Sequence, residues 1–407
     1  MTNRCIMKFF YLPFMKKLLL PILLLSLTKA IAQTPEEIHQ RAILVDTHND
    51  VLSNEVIKGF DIGKLQPKDV SNLDLVRAKQ GGLDAQVFSI WCGPQYGKGT
   101  AFKFANREID SLYALIARYP DRITLVRNAV ELEKAVKEKK MAALIGVEGG
   151  HMIEDRIDYL DSLAKRGMCY LTLTWNNSTS WASSAADETT RRESLKHIGL
   201  TDYGKQIVRR MNELGVMIDL SHPGEQTFYD VLATTTKPVI ASHSCAYSIN
   251  PFRRNLKDAQ LKALAKNGGV VFVNFYSGFV DSTFDKKASH FLTVHKAELD
   301  SLTKIYNDED LATDRLFNIY KTESDQMRTP LSLLIKHIDY IAKLIGVDHV
   351  GIGSDFDGAP SYPMGMDDVT DYPKITAELL KLGYTEKDID KILGGNFLRV
   401  LKANTGK

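Results

Sequence analysis

Histidine and carboxylate side chains stand directly after several of the buried strands that this sequence predicts. His48 and Asp50 follow the first strand, and because positions i and i+2 of an extended segment face the same way, both side chains can contact one ion. Imidazole combined with carboxylate suits Zn²⁺ or a similar first-row metal. The other candidates are Glu148, His222, His243 and Asp355. Such a set suffices for two metal ions with one bridging carboxylate, which can hold a hydroxide and polarise a carbonyl.

Each of these residues also has a structural interpretation when it is taken singly. A lone histidine at a strand end is more often a structural residue than a ligand, and Asp50 or Asp355 could cap a helix. The histidines outside the set receive the structural interpretation, although His151 is close to a functional one because it follows the Glu148 motif. The metal interpretation depends on the whole set, since five of the eight predicted strand ends carry a ligand-type residue.

Short apolar, β-rich runs alternate with amphipathic stretches along the chain, which is typical of parallel βαβ units. Eight units predict an α/β protein with a (β/α)8 TIM-like barrel, in which functional side chains lie beyond the C-terminal ends of the strands. A doubly wound sheet would instead require a glycine-rich phosphate turn after the first strand, and residues 46–50 are not one. The predicted strands are residues 43–45, 85–89, 142–147, 170–174, 216–219, 239–242, 270–274 and 350–353.

The segment of about 277–328 is the least regular part of the chain. It is charged and helix-prone, and it predicts a helical insertion after strand seven. No linker rich in Pro, Gly or Ser divides residues 33–407, which predicts a single barrel domain.

Residues 1–32 have the pattern of a signal peptide. Lys16 and Lys17 precede an apolar run of about ten residues, and an Ala-x-Ala site precedes Gln33. The run is short for a membrane span, so an uncleaved anchor is the weaker alternative. We therefore expect an exported protein, periplasmic or secreted, with no stable membrane span after processing.

The charge of the chain is concentrated in this leader. Residues 1–32 hold five basic residues and no acidic one, and without them 47 basic residues face 50 acidic ones. A protein that binds a polyanion would normally be basic, so nucleic acid is excluded as a partner. Beyond the leader only Cys92, Cys169 and Cys245 remain, which allow at most one internal disulfide and no cysteine-ligated zinc site.

The sequence resembles the zinc-dependent membrane (renal) dipeptidases, which are related to the amidohydrolase barrels. The similar segments span nearly the whole mature chain in the family's order. They are VDTHND at 45–50, GVEG at 146–149, YLTLT at 170–174, IDLSH at 218–222, SHS at 242–244, RRN at 253–255, VNFY at 273–276, GIGSDFDG at 351–358 and GNFLRV at 395–400.

The resemblance implies two Zn²⁺ ions. His48 and Asp50 match the ligands of one zinc, and His222 and His243 match the ligands of the other. Glu148 matches the carboxylate that bridges both ions. A homodimer is also expected from the resemblance.

The resemblance further implies residues that handle the substrate. Asp355 matches an acid near the bridging water that returns a proton to the leaving amine. Arg254 matches the residue that grips the free carboxylate of the substrate, a contact for which a planar guanidinium is well shaped. Tyr276 lies where the family lines its pocket, although core packing explains it equally well.

Trp175 departs from the family pattern. The family usually has a histidine after the Leu-Thr-Leu-Thr strand, near the scissile bond, where it can stabilise the oxyanion. Tryptophan donates only through its indole N–H and cannot be cationic, so Asn176 and His151 are the neighbouring candidates for that task.

These observations predict an exported zinc-dependent dipeptidase that uses a metal-bridging hydroxide, on dipeptides that can carry a D-residue at the C-terminal position. One alternative is another binuclear amidohydrolase acting on a lactone or cyclic amide, which would share the metal ligands but not require Arg254. A second alternative is a non-catalytic exported protein that binds peptides or metal, because Trp175 replaces the oxyanion-stabilising histidine.

Overall fold

Nine buried parallel strands form the centre of the computed structural model, which describes residues 1–2, 8–10, 33–54, 56–306 and 309–406. The chain divides into two units, Met1–Gln33 and Thr34–Lys407, and all elements below belong to the second. The strands are β1 Leu44–Asn49, β2 Leu83–Ile90, β3 Ile123–Leu125, β4 Met141–Glu148, β5 Met168–Thr172, β6 Met217–Asp219, β7 Ile240–Ala241, β8 Val270–Val273 and β9 Val350–Ile352.

Helices connect and surround these strands. Their apolar faces pack on the sheet, which leaves strand side chains buried on both faces, as a parallel sheet requires. The helices are α1 Pro35–Arg41, α2 Val51–Asn54, α3 Leu75–Gln80, α4 Ala101–Arg118, α5 Ala129–Lys137, α6 Ile157–Lys165, α7 Ala185–Thr190, α8 Asp202–Leu214, α9 Glu225–Thr234, α10 Asp258–Lys266, α11 Ser277–Val280, α12 Phe284–Val294, α13 Lys296–Tyr306, α14 Glu309–Ile319, α15 Lys321–Ser324, α16 Leu331–Ile345, α17 Tyr372–Lys381, α18 Glu386–Asp390 and α19 Asn396–Thr405.

Eight of the strands close into a barrel, in the order β1-β2-β4-β5-β6-β7-β8-β9 with β9 returning to β1. This confirms the predicted (β/α)8 fold. The extra strand, β3, lies outside the ring and pairs with the first half of β4, with Ile123 opposite Met141. Its three residues are too few to show a strand pattern in the sequence.

The predicted insertion after the seventh barrel strand is confirmed as the helices α11 to α15 between β8 and α16. These helices pack around an apolar cluster of their own, formed by Phe284, Phe291, Leu316, Phe317 and Met327. Tyr276, which follows β8, packs against the cluster. The insertion is therefore attached to the end of the barrel where the strands terminate.

The predicted signal peptide falls mostly outside the described residues and stays a prediction. Among the described residues, no helix combines the length and the apolar character needed to cross a bilayer. Cys92, Cys169 and Cys245 are all buried and free. Burial raises the pKa of the Cys92 and Cys245 thiols to about 12, so these thiols stay protonated and unreactive.

His337 on α16 ties together the segments that follow β7 and β8. Its Nδ1 accepts the backbone N–H of Ala246 at 3.1 Å, so its protonated Nε2 donates to the carbonyl oxygen of Val280 at 2.9 Å. The ring is completely buried, and burial lowers the pKa of His337 to about 4. The fold therefore holds this imidazole in its neutral form.

We expect His337 to make stability depend on pH. The unfolded chain takes up a proton at this imidazole below about pH 6.5, whereas the folded chain takes it up only near pH 4. Acidification from pH 7 to pH 4 should thus lower the free energy of unfolding by about 3 kcal/mol through this residue. On acidification, the free energy of unfolding measured in urea should fall less in His337→Gln than in wild type. The control His290→Gln, at an exposed position, should show the same fall as wild type. An equal fall in all three proteins would contradict this prediction.

Candidate metal centre

Six polar side chains converge at the C-terminal end of the barrel. The structure brings together all the predicted metal ligands with Asp355, and each lies at or just beyond the end of a barrel strand. Among the described residues, two groups have ligand atoms within 4.8 Å of one another: His48, Glu148 and His243, and His48, Asp50 and Asp355. The prediction from residue type and strand position thus selected side chains that meet in space.

Glu148 lies at the centre of this cluster. One carboxylate oxygen, Oε1, is 2.8 Å from His222 Nε2 and 3.5 Å from His243 Nε2. The other oxygen, Oε2, is 3.4 Å from His48 Nε2. Burial alone would raise the pKa of Glu148, but the positive charge of His48, as the largest opposing cause, holds it well below the ordinary value. Glu148 is therefore ionised, with an oxygen directed to each side of the site.

The hydrogen bonds of His222 and His243 fix which ring nitrogen faces Glu148. His222 Nδ1 lies 3.2 Å from the Oδ1 acceptor of Asn176, so Nδ1 carries the proton. The hydroxyl of Ser242 donates to a carboxylate and therefore accepts from His243 Nδ1 at 2.8 Å. Both rings consequently present a bare Nε2, and these two atoms are only 3.2 Å apart.

Burial is the main reason that these two imidazoles are neutral. It lowers the pKa of His222 to about 3, with the positive charge of Arg254 as the next cause. It also lowers the pKa of His243 well below the ordinary value. Neutral imidazole is the form that binds metal.

His48 completes the set from the opposite side of Glu148. Its Nδ1 donates to the hydroxyl of Tyr170 at 2.8 Å, and that hydroxyl donates to the carbonyl oxygen of Thr47. His48 Nε2 is buried without a hydrogen bond and lies 3.4 Å from Asp50 Oδ2. Burial alone would lower the pKa of His48, but Tyr170 and then the carboxylates of Glu148 and Asp50 raise it well above the ordinary value. The carboxylates thus favour a positive charge at this position.

A metal cation fits this arrangement of donors. The bare Nε2 atoms of His222 and His243 lie 2.8 and 3.5 Å from an oxygen of the ionised Glu148, which is repulsive unless a cation lies between them. Each imidazole is also oriented through its other nitrogen, as metal-ligating histidines are. The side chains that would hold a metal here are those of His48, Asp50, Glu148, His222 and His243.

Buried carboxylates beneath the cluster support these ligands and were missed from the sequence. Asp219 at the end of β6 accepts from Ser242 N–H and Oγ–H, each at 2.7 Å, and from the hydroxyl of Thr172. Asp46 on β1 accepts from the backbone N–H of Ser354 at 2.8 Å. The available signal was a carboxylate within an apolar strand, which must be buried and therefore satisfied.

A glycine on β4 makes room for the support of His48. A Cβ atom at Gly146 would lie 2.1 Å from the ring of Tyr170, so only glycine lets this tyrosine lie across the barrel. Tyr170 is fully buried and reaches His48 from β5. The orientation of the imidazole thus depends on a small residue on a neighbouring strand.

Asp355 faces the cluster from the segment that follows β9. Its Oδ1 lies 3.9 Å from His48 Nε2, and its Oδ2 accepts from the amide of Asn274 at 2.9 Å. Burial raises the pKa of Asp355 to about 8, with the charges of Asp50 and Glu148 adding to the effect. Asp355 can therefore carry or release a proton near neutral pH.

Arg254 is a buried guanidinium beside the cluster, where the sequence alone would favour a surface ion pair. It is 3% exposed. Its Nη2 lies 3.4 Å from the carbonyl oxygen of His243 and its Nη1 3.5 Å from the hydroxyl of Ser244, and its Nε has no partner. Within the described part of the chain, no carboxylate lies within ion-pairing distance of Arg254. Burial lowers the pKa of Arg254 to about 10, which still leaves it charged at neutral pH.

The remaining predicted residues line the same end of the barrel. Tyr276 packs edge-on against Phe279, whose ring lies 5.2 Å from the Arg254 guanidinium carbon. Trp175 is half-buried, with its ring 6.2 Å from that of His222. His151 lies near the end of β4, and burial lowers its pKa.

A family model described as membrane dipeptidase (peptidase family M19) matches residues 32–406. The chain belongs to this family. Membership implies a metal cofactor, and the donor set around Glu148 fits one. The similarity expected from the motifs is thus confirmed over nearly the whole chain.

Similar proteins include one from mouse and two bacterial proteins of known structure. Dipeptidase 3 of Mus musculus is 33% identical over 367 residues, which cover 88% of this chain and 64% of that protein. The probable dipeptidase PvdM of Pseudomonas aeruginosa is 25% identical, with a TM-score of 0.76 over 91% of this chain and 98% of that one. A metallopeptidase of Rhodobacter sphaeroides, liganded with a phosphinate mimic of the dipeptide L-Ala-D-Ala, is 24% identical, with a TM-score of 0.71 over 89% of this chain and 99% of that one.

Proposed function

We propose that this protein hydrolyses dipeptides and that Arg254 binds the free carboxylate of the substrate. The observation that carries the proposal is the burial of this guanidinium without a carboxylate partner, directly beside the candidate metal ligands. A buried charge is costly unless it is paired. A substrate carboxylate would supply the missing partner, and it would place the peptide bond of a dipeptide over Glu148.

The proposed cofactor is a pair of Zn²⁺ ions. Three imidazoles with carboxylates form the nitrogen and oxygen donor set that zinc prefers. When bound, zinc would polarise the scissile carbonyl and lower the pKa of a water molecule. Glu148, with one oxygen directed to each side of the site, is the residue proposed to be shared by both ions.

Asp355 is proposed to move the proton. Asn274 binds its Oδ2, which leaves Oδ1 directed toward the cluster. Its raised pKa lets it accept a proton from water and release it to the leaving amine near neutral pH. Asn176 is one of the two candidates for oxyanion stabilisation, but its Oδ1 already accepts a hydrogen bond from His222 Nδ1.

We further propose that the protein is exported and accepts a D-residue at the C-terminal position. The leader pattern of residues 1–32 supports export. The resemblance to the membrane dipeptidases supports the stereochemical tolerance. Intact-mass measurement of the mature protein and a panel of L,L and L,D dipeptides test these two points separately, and an uncleaved leader or turnover confined to L,L substrates would overturn them.

Arg254→Ala is expected to lower kcat/KM on dipeptides by about 10²-fold or more, mainly through KM, because a buried charge pair is lost. A dipeptide amide, which lacks the carboxylate, should be a poor substrate of both proteins. Arg253→Ala, at the exposed neighbouring position, serves as the control and should retain activity. Unchanged kinetics in Arg254→Ala would instead favour the lactone or cyclic-amide alternative, and binding without turnover in zinc-loaded wild type would favour the non-catalytic one.

A further inference from the structure

Two half-buried indoles lie together at the mouth of the barrel. Trp91 follows β2 and Trp175 follows β5, and their ring centroids are 5.1 Å apart at an angle of 57°. Neither ring belongs to the apolar clusters that the described residues form. These indoles therefore present apolar surface that the core of the protein does not use.

The order of the strands places this pair across the site from Arg254. The strands β2 and β5 lie on either side of β4, which carries Glu148, whereas Arg254 follows β7. In the closed ring of eight strands, β7 is four strands away from β2, which Trp91 follows, and thus opposite it. The indoles and the guanidinium consequently lie on different sides of Glu148.

A dipeptide bound in the proposed way reaches from one side to the other. With its carboxylate on Arg254 and its peptide bond over Glu148, its N-terminal residue must extend toward β2 and β5. We propose that Trp91 and Trp175 form an apolar wall that selects substrates with a large apolar or aromatic side chain at the N-terminal position. This inference rests on the proposed dipeptidase function and adds a substrate class to it.

A polar atom beside the wall fits the free amino group of such a residue. His151 Nε2 lies 2.8 Å from the carbonyl oxygen of Cys92, so Nε2 carries the proton and Nδ1 offers a lone pair. That Nδ1 is buried without a hydrogen-bond partner. Gly149 permits this placement, because a Cβ there would lie 2.5 Å from the same nitrogen.

The test compares two dipeptides that share a C-terminal residue and carry phenylalanine or glycine at the N-terminal position. The zinc-loaded full-length protein should have the higher kcat/KM on the phenylalanine substrate. Trp175→Ala and Trp91→Ala should each lower the ratio of the two kcat/KM values about tenfold or more, mainly through the KM of the phenylalanine substrate. Trp175→Phe should give an intermediate ratio, because part of the apolar surface remains.

The ratio does not depend on how much of a variant is folded, since both substrates report on the same active molecules. Tyr96→Ala is the control. Tyr96 is also an aromatic residue soon after β2, but its ring packs on that of Phe104, with the two ring centroids 4.6 Å apart. A wild-type ratio near one, or an unchanged ratio in both alanine variants, would overturn the wall while the dipeptidase function stands. Absence of turnover on every dipeptide would overturn both.

Discussion

Glu148→Gln is expected to lower kcat/KM on dipeptides by about 10³-fold or more and to lower the metal content of the purified protein. The substitution preserves size but removes the negative charge that faces three imidazoles, at 2.8, 3.4 and 3.5 Å. A metal centre supplies several kcal/mol of transition-state stabilisation, and each factor of ten in rate corresponds to about 1.4 kcal/mol. Metal analysis together with steady-state kinetics measures both effects.

Glu154→Gln is the matched control for this substitution. Glu154 lies six residues further along the chain, and its carboxylate accepts from the backbone N–H groups of Gly99 and Phe102 at 2.6 and 2.9 Å. This variant should keep its metal and its activity. Chelation of the wild-type protein should reproduce the loss seen in Glu148→Gln, and added Zn²⁺ should reverse it. Full activity in the Glu148 variant or in metal-free wild type would contradict the proposed chemistry.

Asp355→Asn is expected to lower kcat by about 10²–10⁴-fold, the range typical of a lost general acid–base group, while metal content stays near that of wild type. Below its pKa, Asp355 is protonated and cannot accept another proton, so wild-type activity should fall as the pH is lowered. The midpoint of this acidic limb should lie at or below about pH 8, because burial raises the pKa of Asp355 to about 8 and bound cations lower the pKa of a nearby carboxyl. The asparagine variant should lose the limb, which pH–rate profiles can show.

Asp357→Asn is the control that distinguishes the loss of proton transfer by Asp355 from a general effect of asparagine on the backbone of this segment. Asp355 and Asp357 both have a φ of 62°, a conformation that asparagine tolerates. The Asp357 carboxylate binds the backbone N–H of Asn72 at 2.7 Å instead of facing the cluster. Its variant should keep the acidic limb. Loss of the limb in both variants, or retention in both, would contradict the assignment of proton transfer to Asp355.

The barrel and its ligand positions could be predicted because both are local properties of the sequence. Alternating strands and helices predicted parallel units, and parallel strands bring their C-terminal ends together. His48, Glu148 and His243 each lie at or within two residues of the end of a barrel strand, so the fold alone places them at one end. The family resemblance added the expectation of substrate binding by Arg254, whose burial no local pattern indicated.

The contacts that orient the ligands could not be predicted, because they join residues far apart in the chain. Tyr170 reaches His48 across 122 positions, and Asp219 accepts from Ser242 on a neighbouring strand. The pairing of Trp91 with Trp175 likewise depends on β2 and β5 flanking β4, although β3 and several helices separate them in sequence. Composition and periodicity report which side chains are buried, but not which partner each one meets.

The contact between Asp46 and Ser354 has a consequence for the order in which the protein assembles. It spans 308 positions and joins the first barrel strand to the segment after the last one. Glu148, His222 and His243 come from strands β4 to β7, which can associate before synthesis reaches β9. His48 and Asp50 meet Asp355 only after ring closure, a long-range event that follows nearly complete translation. The candidate metal ligands thus emerge before β9, and the site lacks Asp355 until β9 has emerged.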